Sequence, residues 1–148
     1  MTDQPTRSAL QLLLAADAFR AGLSGEFSAI HGLSVNEFLM MLHLDRTEAR
    51  RLSRVELARR MHVSASTITR MAAPMEKIGL LSREADPRDA RLAFVVLTAT
   101  GQEKLADALA TFAKRAGYVF GTGWKEEEVA AFADMLGRVA PGAMPLEG

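Results

Sequence analysis

There is no cysteine in this chain, so disulfides and thiolate metal sites are excluded. Histidine is scarce as well. His31, His43 and His62 are scattered, with no pair at the four-residue spacing that puts two imidazoles on one helical face, and no metal site is expected. No apolar run reaches the ~18 residues of a membrane span, and no secretory or lipidation segment is visible, so a cytoplasmic location is expected. Ser64 and Ser66 lie near His62 without a glycine-rich nucleophile elbow or oxyanion-hole motif, and an enzyme is not expected. Internal repeats and low-complexity tracts are absent. A net charge is missing too: 18 Lys and Arg balance 18 Asp and Glu. Zero net charge argues at first against a nucleic-acid partner. Its distribution argues the other way, because residues 46–95 hold 11 basic against 6 acidic residues and leave 7 against 12 elsewhere. Such a split is the footprint of a chain in which one part meets phosphate and another does not.

What is present is 148 residues, 49% of them hydrophobic, enough for a real core in one domain or two joined halves. The stretch 53–97 organises the rest. In "SRVELARRM", Ser53 and Glu56 have capping-box spacing, and Leu57, Ala58 and Met61 share one helical face. After the break "HVS", Ser64 caps a second helix in which Ile68, Met71, Met75 and Ile78 recur at steps of three, four and three, and Gly79 ends it. Helix, three-residue turn and helix is the layout that sends a second helix into a major groove. Burying those four positions turns Ala65, Ser66, Thr69, Arg70, Ala73 and Lys77 outward, a face of short or basic side chains suited to base edges and phosphates.

A hairpin follows directly. "LLSRE" and "RLAFVVL" are strand-like, and "ADPRDA" between them puts Asp86 and Pro87 in the first two places of a type I turn completed by Arg88 and Asp89. Arg88 and Arg91 near the tip suit a narrow minor groove. Asp89, two residues before Arg91, is out of place beside phosphate unless it pairs with that arginine and holds its fork.

The segments "ELARRMHVSASTITRMAAPMEKIGLLSRE", "DPRDAR" and "LTATG", in this order and spacing, resemble the MarR family of winged-helix transcription regulators. The resemblance implies that Ser64 to Lys77, including Thr67, is a recognition helix, that Arg83 to Arg91 frames a wing, and that Asp89 and Arg91 form the family's wing pair. Ala73 and Pro74 stand where many members carry polar or charged residues. The absence of cysteine excludes the thiol-based peroxide sensing of one branch.

The remaining chain reads as helical. Residues 1–7 are a polar, frayed start. Ser8 to Leu23 is a helix apolar most of the way round, as expected of a helix buried against a second chain as well as its own. "GLSGEFSAIHG" is a glycine-punctuated connection, Ser34 and Glu37 cap a helix with Phe38, Met41 and Leu42 inward, and "RTEARR" is a basic connector. Beyond the wing, Thr98 caps a long helix, "GTG" breaks it, and a last helix carries Glu126, Glu127 and Glu128 in its first turn before Pro141 ends it.

The expected fold is therefore mainly α with a small β-hairpin wing. Residues 1–33 are a dimerisation helix and connector, 34–97 a winged helix-turn-helix domain, 98–140 further dimerisation helices, and 141–148 a flexible tail. DNA contacts are expected at Ser53, Arg54, Ser64, Ala65, Ser66, Thr67, Thr69, Arg70, Lys77, Arg83, Arg88, Asp89 and Arg91. The partners expected are a pseudo-palindromic double-stranded operator and a second copy of the chain, with no membrane. No cofactor is required. The resemblance further implies a small aromatic effector in a cleft between dimer helices and winged domain; by chain position Phe27, His31, Phe38, Met40 and Met41 are the candidates to line it. The alternative is a winged-helix module or antirepressor that binds protein rather than a DNA sequence.

Overall fold

The computed structural model describes residues 3–89, 92–144 and 146. Among these are six α-helices and one three-stranded antiparallel sheet.

Helix α1 (Gln4–His31) is 28 residues long and is capped by Asp3, whose Oδ1 accepts from the Thr6 amide at 2.8 Å. The sequence pattern predicts a frayed start and a helix limited to Ser8–Leu23. Instead the helix begins at Gln4 and runs unbroken through Gly22 and Gly25, until Gly32 turns left-handed at φ 63°. Each interior glycine costs ~1 kcal/mol relative to alanine. Burying Leu23 between them and Phe27 beyond contributes ~1.5–3 kcal/mol per side chain and outweighs that cost. Gly22 has its own reason: the guanidinium of Arg115, far along the chain, lies over it, where a Cβ would collide, and pairs with Glu26 at 3.0 Å.

Helix α2 (Val35–Asp45) has the expected capping box, with the Glu37 amide donating to Ser34 Oγ at 3.0 Å and the Ser34 amide to Glu37 Oε1 at 2.8 Å. Phe38, Met40, Met41, Leu42 and Leu44 are all buried. The segment after it is more than a basic connector. A 3-10 turn (Glu48–Arg50) leads into β1 (Arg51–Ser53), which pairs antiparallel with β3 (Ala93–Leu97), Leu52 opposite Val95. Strand β2 (Leu81–Ala85) pairs with the other edge of β3, giving the order β1-β3-β2. Three residues show no period, so long-range pairing alone makes β1 a strand.

Between β1 and β2 lie α3 (Arg54–Met61) and α4 (Ala65–Lys77). Ile68, Ala72 and Met75 are buried on α4 with Met71 half-buried, and Ile78 departs from the predicted stripe at 68% exposure. The helix ends one residue earlier, and Gly79 at φ 82° reverses the chain, so that Leu80 and Leu81 take the buried places. Helix α5 (Ala99–Phe120) starts under Thr98, whose Oγ1 accepts from the Gly101 amide at 3.0 Å, and it contributes Leu105 and Ala108 to the same core. Helix α6 (Glu126–Val139) buries none of its residues. The following segment, read as a flexible tail, packs Met144 against the core.

Candidate nucleic-acid interface

The two helices of the helix-turn-helix are set by their caps. Ser53 Oγ accepts from the Glu56 amide at 3.1 Å, while the Glu56 carboxylate turns away from the cap to Arg59 and Arg60. Those two guanidinium groups hold the carboxyl well below the usual range, at about 2. His62, left-handed at φ 59°, closes α3, and Ser64 opens α4 by accepting from the Thr67 amide at 3.1 Å. No acidic residue stands in the first turn of α4, so the positive end of its dipole and its free amides remain available to an anion.

A chain of hydroxyls runs over this helix start. Ser64 Oγ is 2.9 Å from both Ser66 Oγ and Thr67 Oγ1, and Arg70 Nη2 donates to Thr67 Oγ1 at 3.3 Å. One turn on, Thr69 Oγ1 donates to the Ala65 carbonyl at 3.2 Å and accepts from Arg54 Nη1 at 2.9 Å. Ser64, Ser66, Arg70 and Lys77 are exposed, while Ala65, Thr67 and Thr69 are half-buried. The structure thus gathers Arg54, Ser64, Ser66, Thr67, Thr69 and Arg70 at one end of α4, and Ser53 serves as a cap at its edge.

On the wing, Asp86 Oδ1 accepts from the Arg88 amide at 2.7 Å, and the Asp86 amide donates to the Leu92 carbonyl at 2.9 Å to close the loop. Arg88 is exposed and Asp89 half-buried; Arg91 lies outside the described residues. Arg83 is exposed on β2, 3.7 Å from Glu76 Oε2, and so ties the wing to α4. Arg51 belongs to the basic connector, whose arginines read either as phosphate contacts or as a solvated charge run. It pairs with Glu84 across the sheet and stacks 4.6 Å from the Phe94 ring centroid, bracing the wing's base. Cross-strand partners over 30 residues apart leave no local signal. Arg50 of the same basic run pairs with Asp45 at 3.2 Å. Behind the interface, His43 of α2 has a buried Nδ1 with no partner among the described residues. Burial, with Arg60 and His62 nearby, pushes its pKa below the ordinary value.

The effector candidates fall in different places. Phe27, Met40 and Met41 are fully buried in the core. His31 is half-buried, its Nε2 2.7 Å from Thr111 Oγ1 and its ring edge-on to Phe27. Phe38 stacks on Phe112 with centroids 5.6 Å apart, and these two rings line a cavity of about 290 Å³ between α1, α2 and α5. Phe19, Leu23, Val35 and Leu39 complete the apolar wall, and Arg20, which donates to Asn36 Oδ1 at 3.1 Å, supplies the charged group. Arg20 went unmarked because a lone arginine on an apolar helix gives no hint of the space beside it. No group of three or more His, Asp or Glu side chains suited to a metal occurs among the described residues, and none of their helices is long and apolar enough to cross a membrane.

A sequence model described as the MarR family matches residues 33–92, which span α2 to the wing. The HTH-type transcriptional repressor YetL of Bacillus subtilis is 31% identical over 111 residues, 75% of this chain; the match spans 66% of that relative's length. The crystal structure of the transcriptional regulator PA3341 superposes with a TM-score of 0.75 at 32% identity, over 90% of this chain and 95% of that one. Sco3205 of Streptomyces coelicolor, a MarR family transcriptional regulator solved in complex with DNA, superposes with a TM-score of 0.82 at 22% identity, over 100% of this chain and 94% of that one.

Proposed function

The chain belongs to the MarR family of transcriptional regulators, and from that premise we propose that it acts as a homodimeric repressor that binds a pseudo-palindromic operator and is released by a small aromatic effector. The observation that carries the DNA contact is the amino end of α4: free helix amides, exposed Ser66 and Arg70, no acid in the first turn, and Arg54 alongside. Ser66, Thr69 and Arg70 read bases, and Ser53, Ser64, Ala65, Thr67 and Lys77 flank them against the phosphates. Arg83, Arg88 and Asp89 belong to the wing. Arg91, beyond the described residues, is assigned to the minor groove by its place in the sequence.

Residues 34–97 carry DNA, and 1–33 with 98–140 hold two copies together. Exposed Leu13 and Leu14 on α1 and Met135 and Val139 on α6 support that division, since water is a poor neighbour for such faces. A two-fold axis then puts two recognition helices about 34 Å apart, one turn of duplex. The cavity beside Phe38 and Phe112 suits an aromatic ring, and Arg20 suits a carboxylate or phenolate on it. A ligand there wedges α1 against α2 and alters the spacing of the winged domains.

Fluorescence anisotropy against DNA from upstream of the protein's own gene, with excess non-specific competitor, tests the proposal. Competitor-resistant binding is expected. For a dimer making 6 to 10 phosphate contacts, affinity falls roughly 10³- to 10⁵-fold between 50 and 200 mM salt. Weak binding indifferent to sequence would instead favour a protein partner.

A further inference from the structure

We infer that Arg54 is a positioning residue that fixes the Thr69 hydroxyl as a hydrogen-bond acceptor, so that position 69 selects a base bearing an amino group, adenine or cytosine, at one step of each half-site. This rests on the DNA-binding proposal above and specifies what one side chain reads.

A threonine hydroxyl has one proton and two acceptor lone pairs. In Thr69 the proton goes to the Ala65 carbonyl at 3.2 Å, and Arg54 Nη1 occupies one lone pair at 2.9 Å. One lone pair is left. The hydroxyl therefore has nothing to donate to guanine N7 or O6 or thymine O4 unless it gives up its back-bond. In the major groove the donors that match a lone pair are adenine N6 and cytosine N4. Ser66 differs: among the described residues its hydroxyl bonds the Ser64 hydroxyl alone, at 2.9 Å, where either oxygen can be the donor. It adapts to donor or acceptor edges alike, whereas Thr69 is committed.

Arg54 is suited to this hold. It is the first residue of α3, fixed behind the Ser53 cap and β1, so its backbone is anchored on a different element from the helix it steadies. Its contact with Thr69 is part-buried, which shields it from competing water. No ion pair with a described residue consumes its charge, and most of its five donors remain for a phosphate. Arg54 thus couples two tasks that a mutant series can separate.

The full-length protein is used to select duplexes from a randomised pool, comparing wild type with Thr69→Val, Arg54→Lys and Arg54→Ala, each checked for an unchanged melting transition. In the wild type one position per half-site should favour adenine or cytosine over guanine or thymine on the strand that Thr69 faces, by about five-fold or more, the lower end for a single base pair. Thr69→Val, which keeps the shape and loses the oxygen, should flatten that position alone. Arg54→Ala should flatten the same position, and Arg54→Lys, which keeps a donor and the charge, should restore part of the preference. If Arg54→Ala weakens binding evenly across all sequences and makes the salt dependence shallower, with base preferences intact, Arg54 is only a phosphate contact and the inference fails. An unchanged profile in Thr69→Val overturns it as well. Failure of the wild type to select any sequence overturns the DNA-binding proposal and this inference with it, an outcome distinct from the other two.

Discussion

The winged half and the flanking helices treat their apolar residues in opposite ways. Around α2 to β3, Phe38, Leu57, Ile68, Met75 and Val95 are buried in one core, and polar side chains at its rim are tied to one another. In the amino-terminal half of α1, Leu13 and Leu14 are 59% and 66% exposed, and α6 buries nothing, its Phe132 meeting Phe120 at the end of α5 and Trp124 of the connection with centroids 5.3–5.9 Å apart. The first region is complete within one chain. The second carries apolar surface that this chain leaves uncovered.

The largest effect expected from that contrast is in the core. Phe38→Ala removes a ring packed between Phe27 and Phe112, and should lower stability by ~3–5 kcal/mol in urea titration. A loss below ~1 kcal/mol would show that the core is looser than its burial indicates. The converse substitution, Leu13→Glu with Leu14→Glu, should leave the winged half's circular dichroism and hydrogen exchange unchanged. It should raise the dimer dissociation constant by more than about 100-fold in sedimentation, on the basis that each charge buried unpaired costs several kcal/mol. Unchanged assembly would place the interface elsewhere.

Ser64→Ala is milder. Loss of the α4 cap should cost about 1 kcal/mol and reduce DNA affinity more than stability, because the hydroxyl chain over the helix start goes with it. Smaller still are the pH effects. The folded state holds His43 below its ordinary pKa, so the unfolded chain binds the extra proton. Stability is full above about pH 6.5 and falls as the pH drops through that value. Urea midpoints at pH 7.5 and 5.5 should differ in wild type and differ less in His43→Gln. Glu56 is depressed instead, so its contribution is present above its unfolded value and disappears as pH falls toward about 2; Glu56→Gln should flatten that acid limb.

Much of the winged half could be read from residues close in sequence. Ser34, Ser53, Ser64 and Thr98 cap the helices expected of them, and the hairpin falls where "ADPRDA" placed its loop. Ile78 misled because the helical period was carried one residue past the helix end at Lys77, onto the cap that precedes left-handed Gly79. The effector candidates divide for a different reason. Phe38 lines the cavity, whereas Phe27, Met40 and Met41 are packed in the core, and nothing in their types tells a packed neighbour from a cavity wall.

Sequence alone determined the starts of α2 to α5, the helix-turn-helix, the hairpin and the basic middle of an uncharged chain, because caps, turns and periodicity act over three or four residues. Tertiary structure decided that α1 runs through two glycines, that Arg51–Ser53 is a strand, that Arg54 holds Thr69 and that Arg20 borders a cavity. Each of these depends on a partner far along the chain: Arg115 over Gly22, Val95 opposite Leu52, Thr69 on the next helix, Phe112 across from Phe19. Such partners exert no force on local geometry until the chain has folded and brought them into reach.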